Sequence, residues 1–504
     1  MDTNNRYLRP KAPEIQNATA DHRAFARLLE VVDDLLQTTG AEKKLVDAAS
    51  ARARGMARFE RSGWLDRLIV LTGFQIRCTI LRKLLGINYR KFSVIVTGNA
   101  LFQWFLRIGQ IEAFFGNLDG KHLSKSSLER YDKIVPAEKL QVIIRSICAK
   151  VSKDDWPLIN PAFRGPIEVR DIFADCTVLE ANIHFPVDWL LLRDAVRSLV
   201  SAIIVIRQHG LRHRIKNPKR FRAEINGLCM KMTAVGRKKK GKRLKKKVLR
   251  EMIAVATCVG KHATRYRDLL QRDWQASTDL SEGEANQILE RLDAITDKLP
   301  VAIKQAKDRI ISGKKIPNSE KILSLYENDV HIVFRGKAGA DVEFGNTLFI
   351  AENRSGMIVD YKLFKDSASA DCDMVRDCVF RMKAAGMETE SITTDRGFSS
   401  ADNVEFLETE HIANHILPKS PSKMRDAMED QEMRNDQKRR AQTEGRIGIL
   451  KNCFLDRGVS AKGFEHQLLE VGWSILTHNL WVLARIAIAE GKEASSSEKL
   501  GNTA

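Results

Sequence analysis

The sequence predicts an α/β protein, a mixed sheet covered by helices, with two long helical regions beside it. Three observations predict that class. Apolar residues recur at three- and four-residue steps across Leu65–Leu85 and Leu140–Ile147, the period of a half-buried helix. The same period returns between about Asp188 and Gly313. From His331 onward, short β-branched runs alternate with helical ones, an order that suits a sheet flanked by helices.

The elements follow in order. Leu84–Phe92 reads as a short helix, a turn at Gly86 and a new helix start, and Ser124 is placed to cap a basic helix over Lys125–Arg130. Within a helical region spanning 1–152, these pieces fit a helix-turn-helix DNA-binding head and fit a generic bundle equally well. A polar linker from Lys153 to Gly165 leads to a strand over Glu168–Ile183. In the second helical region, Leu289, Leu292, Leu299, Ile303, Ala306 and Ile310 share one stripe, which Pro300 should kink or divide. Strands are then expected at His331–Phe334, Glu343–Ala351, Met357–Phe364, Ser391–Asp395 and Asn414–Leu417, with a hairpin turn at Asn353–Gly356. Helices are expected at Cys372–Ala385, at Asn403–Glu408 and in a long run through Glu444.

Length and composition narrow the function. A chain of 504 residues has room for two or three domains. Lys and Arg number 83 against 64 Asp and Glu, a net charge of +19 that favours a polyanionic partner. Nucleic acid, ribosomal, heparin and membrane-surface partners all remain open on charge alone. The eight cysteines are scattered with no Cys-x-x-Cys pair, so a zinc site is not expected and a reducing compartment is. The first residues lack an apolar leader core, and no stretch approaches eighteen consecutive apolar residues, so a soluble intracellular protein is expected.

Several acids and cations then stand out. Arg440, Glu444 and Lys451 are spaced by four and seven residues, which puts them on one helical stripe. Such a stripe suits a metal ligand beside a phosphate backbone, though taken alone it is more often a solvated helix face. Asp395 ends a strand, where sites on open α/β sheets assemble. Asp175 lies inside an otherwise apolar strand, either paired or metal-bound there, or turned to solvent at a sheet edge. Asp171 would share its face and is the rival; Glu180 would point the other way. Asp366, Asp371 and Asp373 read as turn and helix-start carboxylates. Three carboxylates from two strands and a helix can hold two hard divalent cations for phosphodiester chemistry.

The residues that join these acids also carry a resemblance. Asp175-Cys-Thr-Val-Leu-Glu-Ala-Asn-Ile-His184-Phe-Pro186, Phe334-Arg-Gly-Lys-Ala-Gly339 with Val342-Glu-Phe-Gly345, Thr394-Asp395-Arg-Gly-Phe398, and Arg440-x3-Glu444-x6-Lys451 resemble the blocks of bacterial insertion-sequence DDE transposases, the ISNCY-like group. Leu84–Arg130 and the closing segment with Trp473, His478 and Trp481 are similar to that group's head and tail. One departure stands out: the signature's tyrosine, three residues before Arg440, is Gln437 here.

The resemblance implies an RNase H-like catalytic domain over 166–187 and 314–487, a basic helical insertion over 188–313 and a disordered tail over 488–504. It implies catalysis and metal binding by Asp175, Asp395 and Glu444 with two Mg²⁺ ions, Mn²⁺ being able to substitute. DNA contacts would come from Arg440 and Lys451, and from Arg237, Lys238, Lys239, Lys240, Lys242, Arg243, Lys245, Lys246 and Lys247. That basic run reads as a phosphate-tracking arm or as a solvated loop. The partner implied is double-stranded DNA, as transposon ends and target, bound by a homodimer or higher assembly at the bacterial nucleoid, in the cytoplasm. A catalytically inactive DNA-binding derivative and an RNase H-like nuclease are the rivals. Trp473, Trp481 and His478 are expected to be core residues.

Overall fold

The computed structural model describes residues 11–56, 64–116, 120–235, 241–327, 329–337, 340–366, 368, 370–455 and 461–501. The chain divides into two compact units, Met1–Glu180 with Asn346–Ala504, and Ala181–Gly345. The insertion was expected to span 188–313; the second unit is longer at both ends.

Six strands form one mixed sheet: β1 (Asp171–Glu180), β2 (His331–Lys337), β3 (Ala340–Glu352), β4 (Ile358–Leu363), β5 (Ser391–Thr394) and β6 (Ala413–Ile416). Their order is β2-β3-β1-β5-β6, with β4 on β3. β3 runs antiparallel to β4, in register from Leu348 opposite Leu363, while β1 and β5, and β5 and β6, pair in parallel. The parallel strands need helical crossovers, and Asp373–Ala384 and Ala401–Thr409 lead into β5 and β6. The β3–β4 hairpin turns at Gly356, whose φ of +88° suits glycine.

The amino-terminal helices of this unit share one apolar core with the sheet, through residues such as Phe74, Ile144, Phe349, Ile358 and Trp473. A boundary expected at 152 is therefore crossed by packing. Buried ion pairs cross it too. Fully buried Asp360 on β4 pairs with Arg145 at 2.9 Å and with Arg381 at 2.7 Å. Asp132 pairs with Arg82 at 2.6 Å, and its carbonyl accepts from the indole N–H of Trp473 at 2.8 Å. Lys83, also buried, pairs with Glu470. Each of these charges would be costly without its partner. The Ser124 side chain does accept from the Ser127 N–H, as its capping role requires.

The closing helix runs Phe464–Gly501, past residue 488, where a disordered tail was expected to begin. Its Phe464–Gly491 portion is long and apolar enough to cross a membrane, which corrects the reading that no such stretch exists. Its most apolar window is 78% buried within the protein, as a core helix is. Trp473 and His478 lie fully buried in it.

The second unit is built on four helices, Asp188–Gln208, Lys219–Val235, Gly241–Ser277 and Glu282–Ala306, packed around Leu192, Ile203, Met252, Ala256, Leu292 and Leu299. The last helix is not divided at Pro300: it continues to Ala306. Pro300 sits on the exposed face of the helix.

Candidate functional site

Asp175 comes within electrostatic reach of Asp395 and Glu444 because β1 and β5 are parallel neighbours and the helix Gln431–Ile449 packs across both. Asp175 lies mid-strand on β1, Asp395 directly follows β5, and Glu444 lies on the helix. Strand alternation puts Phe173, Asp175 and Thr177 on one face of β1. That face is the helix side. The Arg439 guanidinium lies 4.7 Å from the Phe173 ring centroid, and the Lys451 ammonium donates to Thr177 Oγ1 at 3.0 Å. Cys176 faces the opposite way, its Sγ 3.3 Å from Met374 Sδ.

Asp175 records the electrostatics of this meeting. Burial pushes its carboxyl up to about 6; the Asp395 and Glu444 charges push the same way, and the Cys176 N–H bond and Arg440 oppose them. Asp395 accepts from the Gly397 N–H at 2.8 Å, capping the turn Arg396–Phe398. Glu444 is exposed. The α-helix ends at Ile449, and Lys451 lies in a π turn, Leu450–Phe454. The uniform stripe expected through Lys451 is thus corrected. The wider turn changes the register after Glu444, and the lysine returns to the Asp175 face of β1.

Gln437 stands where the signature tyrosine was expected and is buried between helix and sheet. Its amide donates to the carbonyls of Thr394 at 3.1 Å and His415 at 2.7 Å, and its Oε1 accepts from Arg440 Nε at 3.0 Å. It therefore ties the helix to β5 and β6 one residue before Asp395, and orients Arg440.

Asp171, the rival acid, is held elsewhere. It accepts from Ser391 Oγ at 2.7 Å and from Arg354 Nη2 at 2.9 Å. Glu180 is exposed at the strand end. Asp371, read from the sequence as a turn carboxylate, comes to the margin of the site. A Cβ placed on Gly397 would sit 3.0 Å from Asp395 Oδ1 and 3.2 Å from Asp371 Oδ2. Burial, followed by the Asp371 and Asp175 charges, pushes the Cys176 thiol far above its ordinary range.

A second group was missed. His415, Glu432 and Asp436 bring ligand atoms within 4.8 Å of one another and could hold a metal ion, the one such group found among the described residues. Asp175, Asp395 and Glu444 are not drawn together that closely. The second group is already largely balanced: Asp436 Oδ2 meets His415 Nδ1 at 2.8 Å and Oδ1 meets Arg354 at 2.8 Å. The signal available in the sequence was the four-residue step from Glu432 to Asp436, which puts both on one helical face.

Of the basic run, Arg237, Lys238, Lys239 and Lys240 lie outside the described residues. Lys242, Arg243, Lys245, Lys246 and Lys247 occupy the first turns of the helix Gly241–Ser277, so the loop reading is corrected for these five. His478 packs against Phe454 and Trp481. Burial lowers its pKa to about 4, as expected of a core histidine. No protein-family profile, curated protein or solved structure matches the chain.

Proposed function

We propose that the chain is a DDE-type DNA transposase, with Asp175, Asp395 and Glu444 as its metal-binding catalytic acids. The observation that carries this reading is that Asp175, in the middle of β1, lies within electrostatic reach of Asp395, just past the carboxyl end of the parallel neighbour β5, and of Glu444 on the helix packed across both. The strand order β4-β3-β1-β5-β6, with the second unit inserted after β1, supports an RNase H-like catalytic domain. The +19 charge supports a polyanionic partner. So do five cations in the first turns of one helix, where the macrodipole opposes them until an anion lies alongside.

The donor set fits a hard divalent cation. Carboxylate oxygens are the ligands Mg²⁺ or Mn²⁺ prefers, and a carboxyl raised by burial and by two like charges is returned to its ionised form by a cation among them. When bound, two such ions polarise the scissile phosphate and favour deprotonation of the attacking hydroxyl. The protein's own residues do the rest. Asp175, rigid on β1, and Asp395, fixed by its cap to Gly397, set the floor of the site. Arg440, oriented by Gln437, and Lys451, anchored on Thr177, hold phosphate oxygens at its edge. Water first opens a phosphodiester at the element end, and the released 3′-hydroxyl then attacks target DNA. No covalent protein intermediate is required.

The test uses the full chain with duplexes carrying the inverted repeats that flank its gene. Mg²⁺-dependent end cleavage and joining to a target plasmid are expected from the native protein. Asp395→Asn should lose both while still binding the ends. Cleavage by that variant at the native rate overturns the assignment, and cleavage without joining makes the protein a nuclease.

A further inference from the structure

The second unit contains a cleft of about 700 Å³ that has no part in the acid site. Two aromatic rings and four cations line it: Phe185, Trp189, Arg309, Lys314, Lys315 and Lys321. Phe185 is 71% exposed, an unusual state for a large apolar ring, and rests edge-on against Phe344 with centroids 5.4 Å apart. Trp189 opens the helix Asp188–Gln208 and is half-buried, with the Lys245 ammonium 5.9 Å from its ring centroid.

The cationic side is built and not incidental. Arg309 pairs at 2.8 Å with Asp188, whose buried carboxylate also accepts from Gln305 at 2.9 Å. Gly313, at φ +72°, ends the π turn Lys307–Ser312, and Lys314 and Lys315 follow directly. Asp188 offsets Arg309, and Asp308 lies 3.7 Å from the Lys314 ammonium, so Lys315 and Lys321 leave the cleft electropositive.

Rings and cations in one small cleft select among ligands. Four cations disfavour a purely apolar ligand, and a single, already paired carboxylate disfavours a metal ion. The volume is that of a pocket for one small group, whereas a duplex needs an open surface. A ligand with a flat π face and an attached phosphate satisfies both sides, as in the stacking of single strands on aromatic platforms beside basic grooves.

We propose that this cleft holds one unpaired nucleotide of a DNA strand, with its base against Phe185 and Trp189 and its phosphates on Arg309, Lys314, Lys315 and Lys321. The choice of DNA rests on the function proposed above, while the ring-and-cation chemistry stands apart from the acid site. The test measures binding of the full chain to labelled duplexes that are blunt or carry a short single-stranded end, by fluorescence anisotropy. A 2-aminopurine in the unpaired end reports base contact. Overhang duplexes should bind about tenfold tighter than blunt ones. Phe185→Ala should remove that preference and the change in 2-aminopurine emission. Lys315→Ala should lower the salt dependence of overhang binding by about one phosphate contact. Both residues are exposed, so neither substitution removes core packing.

Equal binding of both duplexes, or an overhang preference that survives Phe185→Ala, overturns the proposal. Competition by free dAMP as effective as by the oligonucleotide makes the cleft a mononucleotide site and also overturns it. Tighter binding of an RNA end than a DNA end does the same in favour of RNA. The two proposals fail separately. Loss of DNA cleavage with a Phe185-dependent overhang preference retained sinks the transposase reading alone; cleavage with no such preference sinks this one alone.

Discussion

Two acid groups share the helix Gln431–Ile449, and their difference separates structure from chemistry. Asp436 is answered at both oxygens: Arg354 takes one and His415 the other, and Arg354 also binds Asp171, which accepts from Ser391. At Asp175 the charges are not answered. Two further carboxylates lie within electrostatic reach, one arginine opposes them, and the carboxyl is pushed up to about 6. A buried pair that balances itself stabilises a fold. An acidic group left unbalanced costs stability, and proteins keep such groups at sites that receive a cation or a proton. Two turns of helix separate the two arrangements.

Substitutions can break this contrast, and the largest effect should come first. Asp395→Asn should lower Mg²⁺-dependent cleavage by about a thousandfold, since several kcal/mol of charge stabilisation is lost, and should leave urea unfolding unchanged. The opposite pattern is expected at the balanced group. Asp436→Ala leaves His415 without its carboxylate and Arg354 with Asp171 alone, and should cost about 3 kcal/mol in urea unfolding, with cleavage per folded molecule retained. Equal stability of that variant would show the Arg354–Asp436–His415 chain to be idle.

The Asp175 pKa gives a smaller effect with a definite sign. Its folded-state value, about 6, lies above the ordinary 3.8, so the folded protein holds an extra proton between those pH values. Stability from this group is therefore highest below about pH 4, falls as pH rises to about 6, and is flat beyond. Without divalent metal at pH 8, Asp175→Asn should be more stable than the native chain by about 2 kcal/mol. Its urea midpoint should change less with pH across that window. Destabilisation at pH 8 would remove the idea that this carboxylate is strained. The smallest effect is expected at Gly356, where an added Cβ would sit 2.4 Å from Arg446 Cζ at a φ of +88°. Gly356→Ala should cost about 1–2 kcal/mol, because the left-handed backbone penalty remains after the arginine swings aside.

The same contrast shows what a sequence reveals. The strands were legible because alternation is local: each expected strand lies within a few residues of the observed one, as at Ser391–Thr394 and Ile358–Leu363. Asp175, Asp395 and Glu444 could be picked out because acids at strand ends and on helix faces leave a local trace. Their meeting could be inferred only through a family likeness. What stayed hidden was long-range. Lys83 meets Glu470 and Arg145 meets Asp360, pairs that no periodicity connects, so the amino-terminal helices looked separable from the sheet. The π turn at Leu450–Phe454 was invisible because its residues have ordinary helical preferences. His415, alone in a short strand, carried no hint of its partner on the helix.

Gln437 has a consequence best seen by counting protons. A primary amide offers two N–H donors and one acceptor, and all three are engaged, by Thr394, His415 and Arg440. A phenol has a single proton to give. With tyrosine at this position, one of the two strand carbonyls would lose its side-chain donor and the guanidinium would lose its amide oxygen. The amide therefore works as a three-way valve seat: β5 and β6 hold it from one side, and it holds Arg440 from the other. Any parting of those two strands would reach the arginine through this one amide.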